Sequence, residues 1–183
     1  MCGIAGYHGL HADQALLERM NDCQQHRGPD GEGIVTSGLC GLAHRRLSII
    51  DVAHGQQPMD TADGRYSIAY NGEVYNYLDL REELVALGRT FTTDSDTEVV
   101  LQAFAQWGPE AFDRFNGMFG LAIWDREEGC TTRESTSGRS TATCASGRTR
   151  TAPRRSSPAS SASPRARCSR PTRTASSGAC SPA

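Results

Sequence analysis

Cys2 stands directly behind the initiator Met. Removal of Met1 is expected before so small a residue, and would leave one residue carrying both a thiol and a free α-amine. An N-terminal amine ordinarily titrates at roughly 7.7–8.0 and a thiol at about 8.5. The amine can therefore take the thiol proton, directly or through water, with no separate His. A buried, inert thiol is the commoner fate of a lone cysteine, so position alone leaves both readings open. Asn71-Gly72, in YNGEVYN, reads first as a turn. It also offers a side-chain amide beside an unhindered backbone N–H, which an oxyanion hole requires, and Gly72 would let a substrate approach closely. Arg45 and Arg46, in HRRLSIID, fall on opposite faces of a strand. One suits a surface ion pair, the other a bidentate grip on a carboxylate. Asp94 and Asp96, in TDSDTEVV, lie beside a helix start. Most such residues are N-caps, but a carboxylate there could hold a substrate ammonium. His8, His11, His26, His44 and His54 show no metal-ligand spacing, and His44 is read as structural. Neither Gly-rich phosphate-binding pattern occurs.

The elements that must place these groups are legible in outline. CGIAGY is a short Gly-rich strand. ADQALLERMNDCQQH puts Ala15, Leu16, Arg19, Met20 and Cys23 near helical spacing, with Asp13 as its start. RGPDGEG reads as a loop. GIVTSG and LCGLAHRRLSIID read as two strands joined through Ser37-Gly38, and YSIAYNGEVYN as a strand interrupted at Asn71-Gly72. YLDLREELVALG is an amphipathic helix with Leu78, Leu80, Leu84, Val85 and Leu87 apolar and Gly88 as its stop. DTEVVLQAFAQWG is another, starting at Ser95 or Asp96 and stopping at Gly108. PEAFDRF is a short helix with Pro in its first turn, and GMFGLAIWD a buried strand. Strands and helices cluster rather than alternate, which predicts an α+β fold with antiparallel sheet.

The 183 residues suffice for one domain with a core, and the formal charge of −2 hides a division. Residues 1–129 carry nine Arg against 20 Asp or Glu, and residues 130–183 ten Arg against one Glu, with no Lys anywhere. The second segment uses only Cys, Thr, Arg, Glu, Ser, Gly, Ala and Pro. Without large apolar residues it is expected to be disordered. It lacks aromatics for base stacking and its Arg are scattered, which argues against a nucleic-acid partner. All its residue types but Glu have G or C at the middle codon position, so it reads as an out-of-frame translation of a GC-rich gene. No run of 18 apolar residues is present, and no basic-then-apolar leader precedes Cys2; neither a membrane partner nor secretion is expected. Only Cys2, Cys23 and Cys40 precede residue 130, at irregular spacing, which suits a reduced, cytoplasmic protein.

Taken together and in order, Cys2-Gly-Ile-Ala-Gly, RGPDGEG, LAHRRLSIID, YNGEVYN, SDTEVV and FNGMFGLAIWD resemble the glutaminase domain of glutamine-hydrolysing asparagine synthetases, class II amidotransferases with an N-terminal nucleophile. The resemblance runs from residue 2 to about 128, so residues 2–129 are taken as the glutaminase domain. It implies a four-layer α-β-β-α sandwich of two antiparallel sheets. It implies Cys2 as nucleophile and its amine as base, with the Asn71 side chain and the Gly72 N–H as the oxyanion hole. Arg46, directly before Leu-Ser-Ile, would hold the α-carboxylate of L-glutamine. Asp96 and Glu73 would face its amino group, and Leu47, Ser48, Ile49 and Ile50 would line the pocket. The glutaminase half needs no cofactor and no metal. ATP and Mg belong to a synthetase domain, whose Ser-Gly-Gly-x-Asp-Ser loop is missing here, so a separate synthetase domain or subunit is an expected partner. Related amide synthetases share the plan. The resemblance also implies further strands past residue 128 where the unusual segment begins, leaving an incomplete sandwich that could be an inactive fragment.

Overall fold

The first sheet is a hairpin with one strand added. In the computed structural model, which describes residues 2–9, 13–48, 51 and 54–136 and the backbone of 141–144 and 149–151, β2 (Gly31–Ser37) turns back into β3 (Cys40–Arg46), and β1 (Gly3–His8) pairs with the other edge of β3. Both pairings are antiparallel, with Gly3 opposite Arg45 and Gly31 opposite Arg46. β2 takes up the Gly-Glu-Gly end of the expected loop, and β3 stops at Arg46, so Leu47 and Ser48 are not strand. The second sheet is antiparallel in the order β4 (Met59–Asp60), β5 (Tyr66–Val74), β6 (Gly117–Asp125), β7 (Cys130–Ser135), β8 (Thr141–Cys144) and β9 (Thr149–Thr151).

β5 does not break at Asn71-Gly72. It pairs straight through, Asn71 with Gly120 and Gly72 with Phe119. A Cβ at Gly72 would lie 2.5 Å from the Phe119 Cα and the Met118 carbonyl. The glycine lets β6 lie close, and that role replaces the expected interruption.

Strand alternation divides the burial. Ile68, Tyr70 and Val74 of β5 and Phe119, Leu121 and Ile123 of β6 meet α2 (Tyr77–Ala86) and α3 (Asp96–Trp107) through Leu80, Leu84, Val99, Val100, Leu101 and Phe104. The opposite faces of β5 and β6 present Ala69, Ala122 and Trp124 to Ile4, Cys40 and Leu42 of the first sheet. α1 (Gln14–Asp22) packs on the outside of β1 and β3 with Leu17 fully buried. The layers are thus helix, sheet, sheet, helices. α1 starts as expected, with Asp13 accepting from the Leu16 N–H at 2.8 Å. α2 buries only Leu80 and Leu84, while Leu78, Val85 and Leu87 remain about half exposed. At 3.6 residues per turn Leu78 and Val85 lie roughly opposite Leu80 and Leu84, so the expected single apolar face is narrower than the composition suggests. A 3-10 helix, Gly108–Arg114, follows α3.

The expectation of disorder from residue 130 does not hold for Cys130–Ser135, which pairs with β6 from Asp125 to Gly120. Strand pairing uses backbone groups, and β-branched Thr suits it. Thr131 is buried, and its hydroxyl meets His8 Nδ1 at 2.9 Å and the Cys40 sulfur at 3.7 Å. β8 and β9 extend the ladder; 137–140, 145–148 and 152–183 lie outside the described residues. Cys2, Cys23 and Cys40 are free, and Cys130 is disulfide-bonded, which departs from a fully reduced chain. No helix among the described residues is long and apolar enough to cross a membrane.

Candidate active site

Cys2, Arg46, Leu47, Asn71, Gly72, Glu73 and Asp96 line one cavity of about 480 Å³. Ser48 does not; its N–H donates to Asp30 Oδ2 at 2.8 Å. Ile49 and Ile50 lie outside the described residues.

Cys2 is fixed at the mouth of β1. Its sulfur accepts from the Leu47 N–H at 3.3 Å and the thiol faces the Leu47 carbonyl at 3.6 Å. Arg27 Nε donates to the Cys2 carbonyl at 3.1 Å. The motif read as a plain loop therefore carries a side chain that holds the Cys2 backbone. Gly28 beside it packs on β3, where a Cβ would meet the Arg45 carbonyl oxygen at 2.4 Å. The glycine in this motif was a readable signal, but the reach of Arg27 spans 25 residues of chain and was not.

Alternation on β3 separates the two arginines as the strand pattern requires. Arg45 faces outward to ion pairs with Asp22 and Glu32. Arg46 is buried on the inner face with Leu42, and its Nη2 donates to the Asp51 carbonyl at 2.6 Å. Asp51 adopts a left-handed φ of 44°. Its carboxylate accepts the backbone N–H groups of Asp94 and His54, and the Asp94 N–H chiefly holds it below the usual carboxylate range. Asp51 closes the HRRLSIID motif, but its support of Arg46 was not legible there.

Asp96 is freed for the cavity because Ser95 caps α3, accepting from the Glu98 N–H at 3.3 Å. The Asp96 carboxylate is buried and accepts from the Tyr70 hydroxyl at 2.8 Å and the Val74 N–H at 3.3 Å. Burial raises its pKa, and the Tyr70 and Val74 hydrogen bonds oppose that rise. Asp94 is exposed and pairs with Arg81 at 3.3 Å, away from the cavity. Among the described residues no group of three His, Cys, Asp or Glu could hold a metal. The cavity thus holds a thiol, a side-chain amide, a buried guanidinium and a buried carboxylate. That set suits a substrate with both a carboxylate and an ammonium, and a carbonyl open to attack.

Residues 1–135 match the glutamine amidotransferase domain family. The chain belongs to this family. Over 134 residues it is 46% identical to asparagine synthetase [glutamine-hydrolyzing] 1 of Bacillus subtilis, covering 70% of this chain and 21% of that protein. It is 39% identical over 132 residues to asparagine synthetase B [glutamine-hydrolyzing] of Escherichia coli, covering 70% of this chain and 24% of that one. This amidotransferase domain therefore spans less than a quarter of the length of these relatives. A glutamine phosphoribosylpyrophosphate amidotransferase from B. subtilis superposes with a TM-score of 0.63 at 18% identity, over 74% of this chain and 37% of that chain, and shares the fold.

Proposed function

We propose that the domain hydrolyses L-glutamine to glutamate and ammonia, with Cys2 as nucleophile. The observation that carries this reading is the shared cavity, lined by Cys2, Asn71 and Gly72 together with Arg46 and Asp96. Once Met1 is removed, the Cys2 amine takes the thiol proton and the sulfur attacks the side-chain amide carbon of glutamine. The developing oxyanion takes hydrogen bonds from the Asn71 amide and the Gly72 N–H. The amine then gives its proton to the departing nitrogen, ammonia leaves, and a γ-glutamyl thioester remains on Cys2. Water attacks that carbonyl, the thiol is released, and glutamate departs. Arg46 pairs with the substrate α-carboxylate, while Asp96 and Glu73 face its ammonium.

No cofactor or metal takes part in these steps. Ammonia would serve an ATP- and Mg-dependent amidation of aspartate on a synthetase domain or subunit outside this chain. The support for that acceptor is the identity to asparagine synthetases of which the chain spans 21% and 24%. The reading sets the protein in the cytoplasm, where Cys2 stays reduced, as it is together with the free Cys23 and Cys40, the Cys130 disulfide lying in the segment after residue 129. Hydroxylamine tests the intermediate, because it intercepts a thioester. Incubation of the Met1-processed chain with glutamine and hydroxylamine is expected to yield γ-glutamyl hydroxamate. A folded protein that yields neither hydroxamate nor glutamate would instead be a non-enzymatic fragment.

A further inference from the structure

We propose that His44 and Gln57 are positioning residues that clamp the backbone of Tyr70 and thereby aim the Asn71 amide at the reacting carbonyl; this rests on the glutaminase reading above. β4 pairs Met59 with Ile68 and Asp60 with Ser67. Continued by two residues, that register would set Gln57 opposite Tyr70. The strand does not continue, since β4 begins at Met59 and Pro58 before it has no N–H to give. The N–H and C=O of Tyr70 point to this open side of β5, and two side chains take the place of the missing strand. The Tyr70 N–H donates to Gln57 Oε1 at 2.7 Å. His44 Nε2, reaching across from the inner face of β3, lies 3.1 Å from the Tyr70 carbonyl oxygen. A carbonyl only accepts, so Nε2 carries the proton.

Both side chains are buried, His44 at 0% exposure and Gln57 at 7%. Gln57 Nε2 donates to Thr97 Oγ1 at 3.2 Å, which fixes the orientation of its amide and ties the clamp to the first turn of α3 beside Asp96. The Tyr70 carbonyl and the Asn71 nitrogen share one rigid peptide plane. Holding the oxygen fixes the plane from which the Asn71 side chain departs, and pairing with Gly120 holds Asn71 from the other edge. Burial keeps the imidazole neutral, with its pKa pressed down to about 4. The second ring nitrogen, Nδ1, is buried with no hydrogen-bond partner among the described residues. A histidine that only filled space would not need one nitrogen on this carbonyl.

The test uses the full Met1-processed chain with His44→Phe, which keeps bulk and removes the donor, His44→Gln, which keeps a donor, and Gln57→Met. His44→Phe is expected to lower kcat for glutamine hydrolysis about 10- to 100-fold at nearly constant KM, and His44→Gln to recover most of it. In an Asn71→Ala background the His44→Phe effect is expected to vanish, because the imidazole acts only through that amide. An equal loss in both backgrounds, or a change in KM alone, overturns the proposal. If His44→Phe does not fold, Gln57→Met replaces it in the same comparison. Residue-resolved amide exchange tests the clamp without relying on turnover: Tyr70 and Asn71 exchange at least about tenfold faster in the clamp variants while Leu101 is unchanged. Unchanged Tyr70 and Asn71 rates overturn it. A folded wild-type chain with no turnover would defeat the glutaminase reading, and the exchange rates would then test the clamp alone.

Discussion

Asp96 combines two opposed influences on one carboxyl. Burial raises its pKa, and hydrogen bonds from the Tyr70 hydroxyl and the Val74 N–H pull it down. A carboxylate that receives a substrate ammonium must be ionised, so KM for glutamine rises as pH falls through the raised pKa. Tyr70→Phe deletes one of the hydrogen bonds that favour the ionised form. The rise in KM is then expected to begin at higher pH than in the wild type, because the ionised form has lost a hydrogen bond, with kcat little altered. A KM profile that superposes on the wild type would remove Tyr70 from this role. At this scale the sequence was a good guide where the strand period itself separated two side chains, as with Arg45 and Arg46. It was silent on Arg27, Asp51 and Tyr70, whose partners are brought near only by the tertiary fold.

Elements carry the site in ways that local pattern partly conceals. Asn-Gly in YNGEVYN has the composition of a turn, yet Gly72 lies within β5 because the β6 backbone occupies the space a Cβ would need. Gly72→Ala is accordingly expected to push β6 away, costing about 1–3 kcal/mol in stability and lowering kcat, both measurable by urea titration and glutamate assay. β7 was illegible for a different reason. Its Thr-rich composition cannot build an apolar core, but a strand at the flank of an existing sheet needs backbone pairing first. β3 offers a pH test. The His44 imidazole is buried and its pKa is lowered to about 4, against about 6.5 when unfolded. The unfolded chain binds the extra proton between these values, so this contribution is present above about pH 6.5 and is lost as pH falls toward about 4. It amounts to about 3 kcal/mol. The stability difference between wild type and His44→Gln is expected to shrink by about that amount from about pH 7 to about pH 4, whereas Asp96, raised in both proteins, has the opposite sign and cancels. A pH-independent difference would mean His44 titrates normally.

At the scale of the whole molecule, both apolar clusters are built from residues between Ile4 and Trp124, and the last described strand ends at Thr151. A chain ending after Thr151 is therefore expected to match the full chain in glutamate release and to melt within about 2 °C of it. Ending instead after Arg126 removes β7 and its buried Thr131, exposing the β6 edge, and is expected to yield aggregated protein. A large loss on ending after Thr151 would show that 152–183 supports the domain. The α+β character was legible because strands and helices cluster rather than alternate, and the two-sheet plan was legible only as what the family resemblance implied. The extent of the second sheet was not, because it continues into sequence with no apolar period at all.

The central claim is that Cys2 is the nucleophile of a working glutaminase, and the most direct measurement is release of glutamate and ammonia from glutamine by the purified, Met1-processed chain beside its Cys2→Ala variant. The two products are expected in equal amounts from the wild type, and both are expected to be lost in a variant that remains folded. Equal release by the two proteins, or none from a folded wild type, would contradict it.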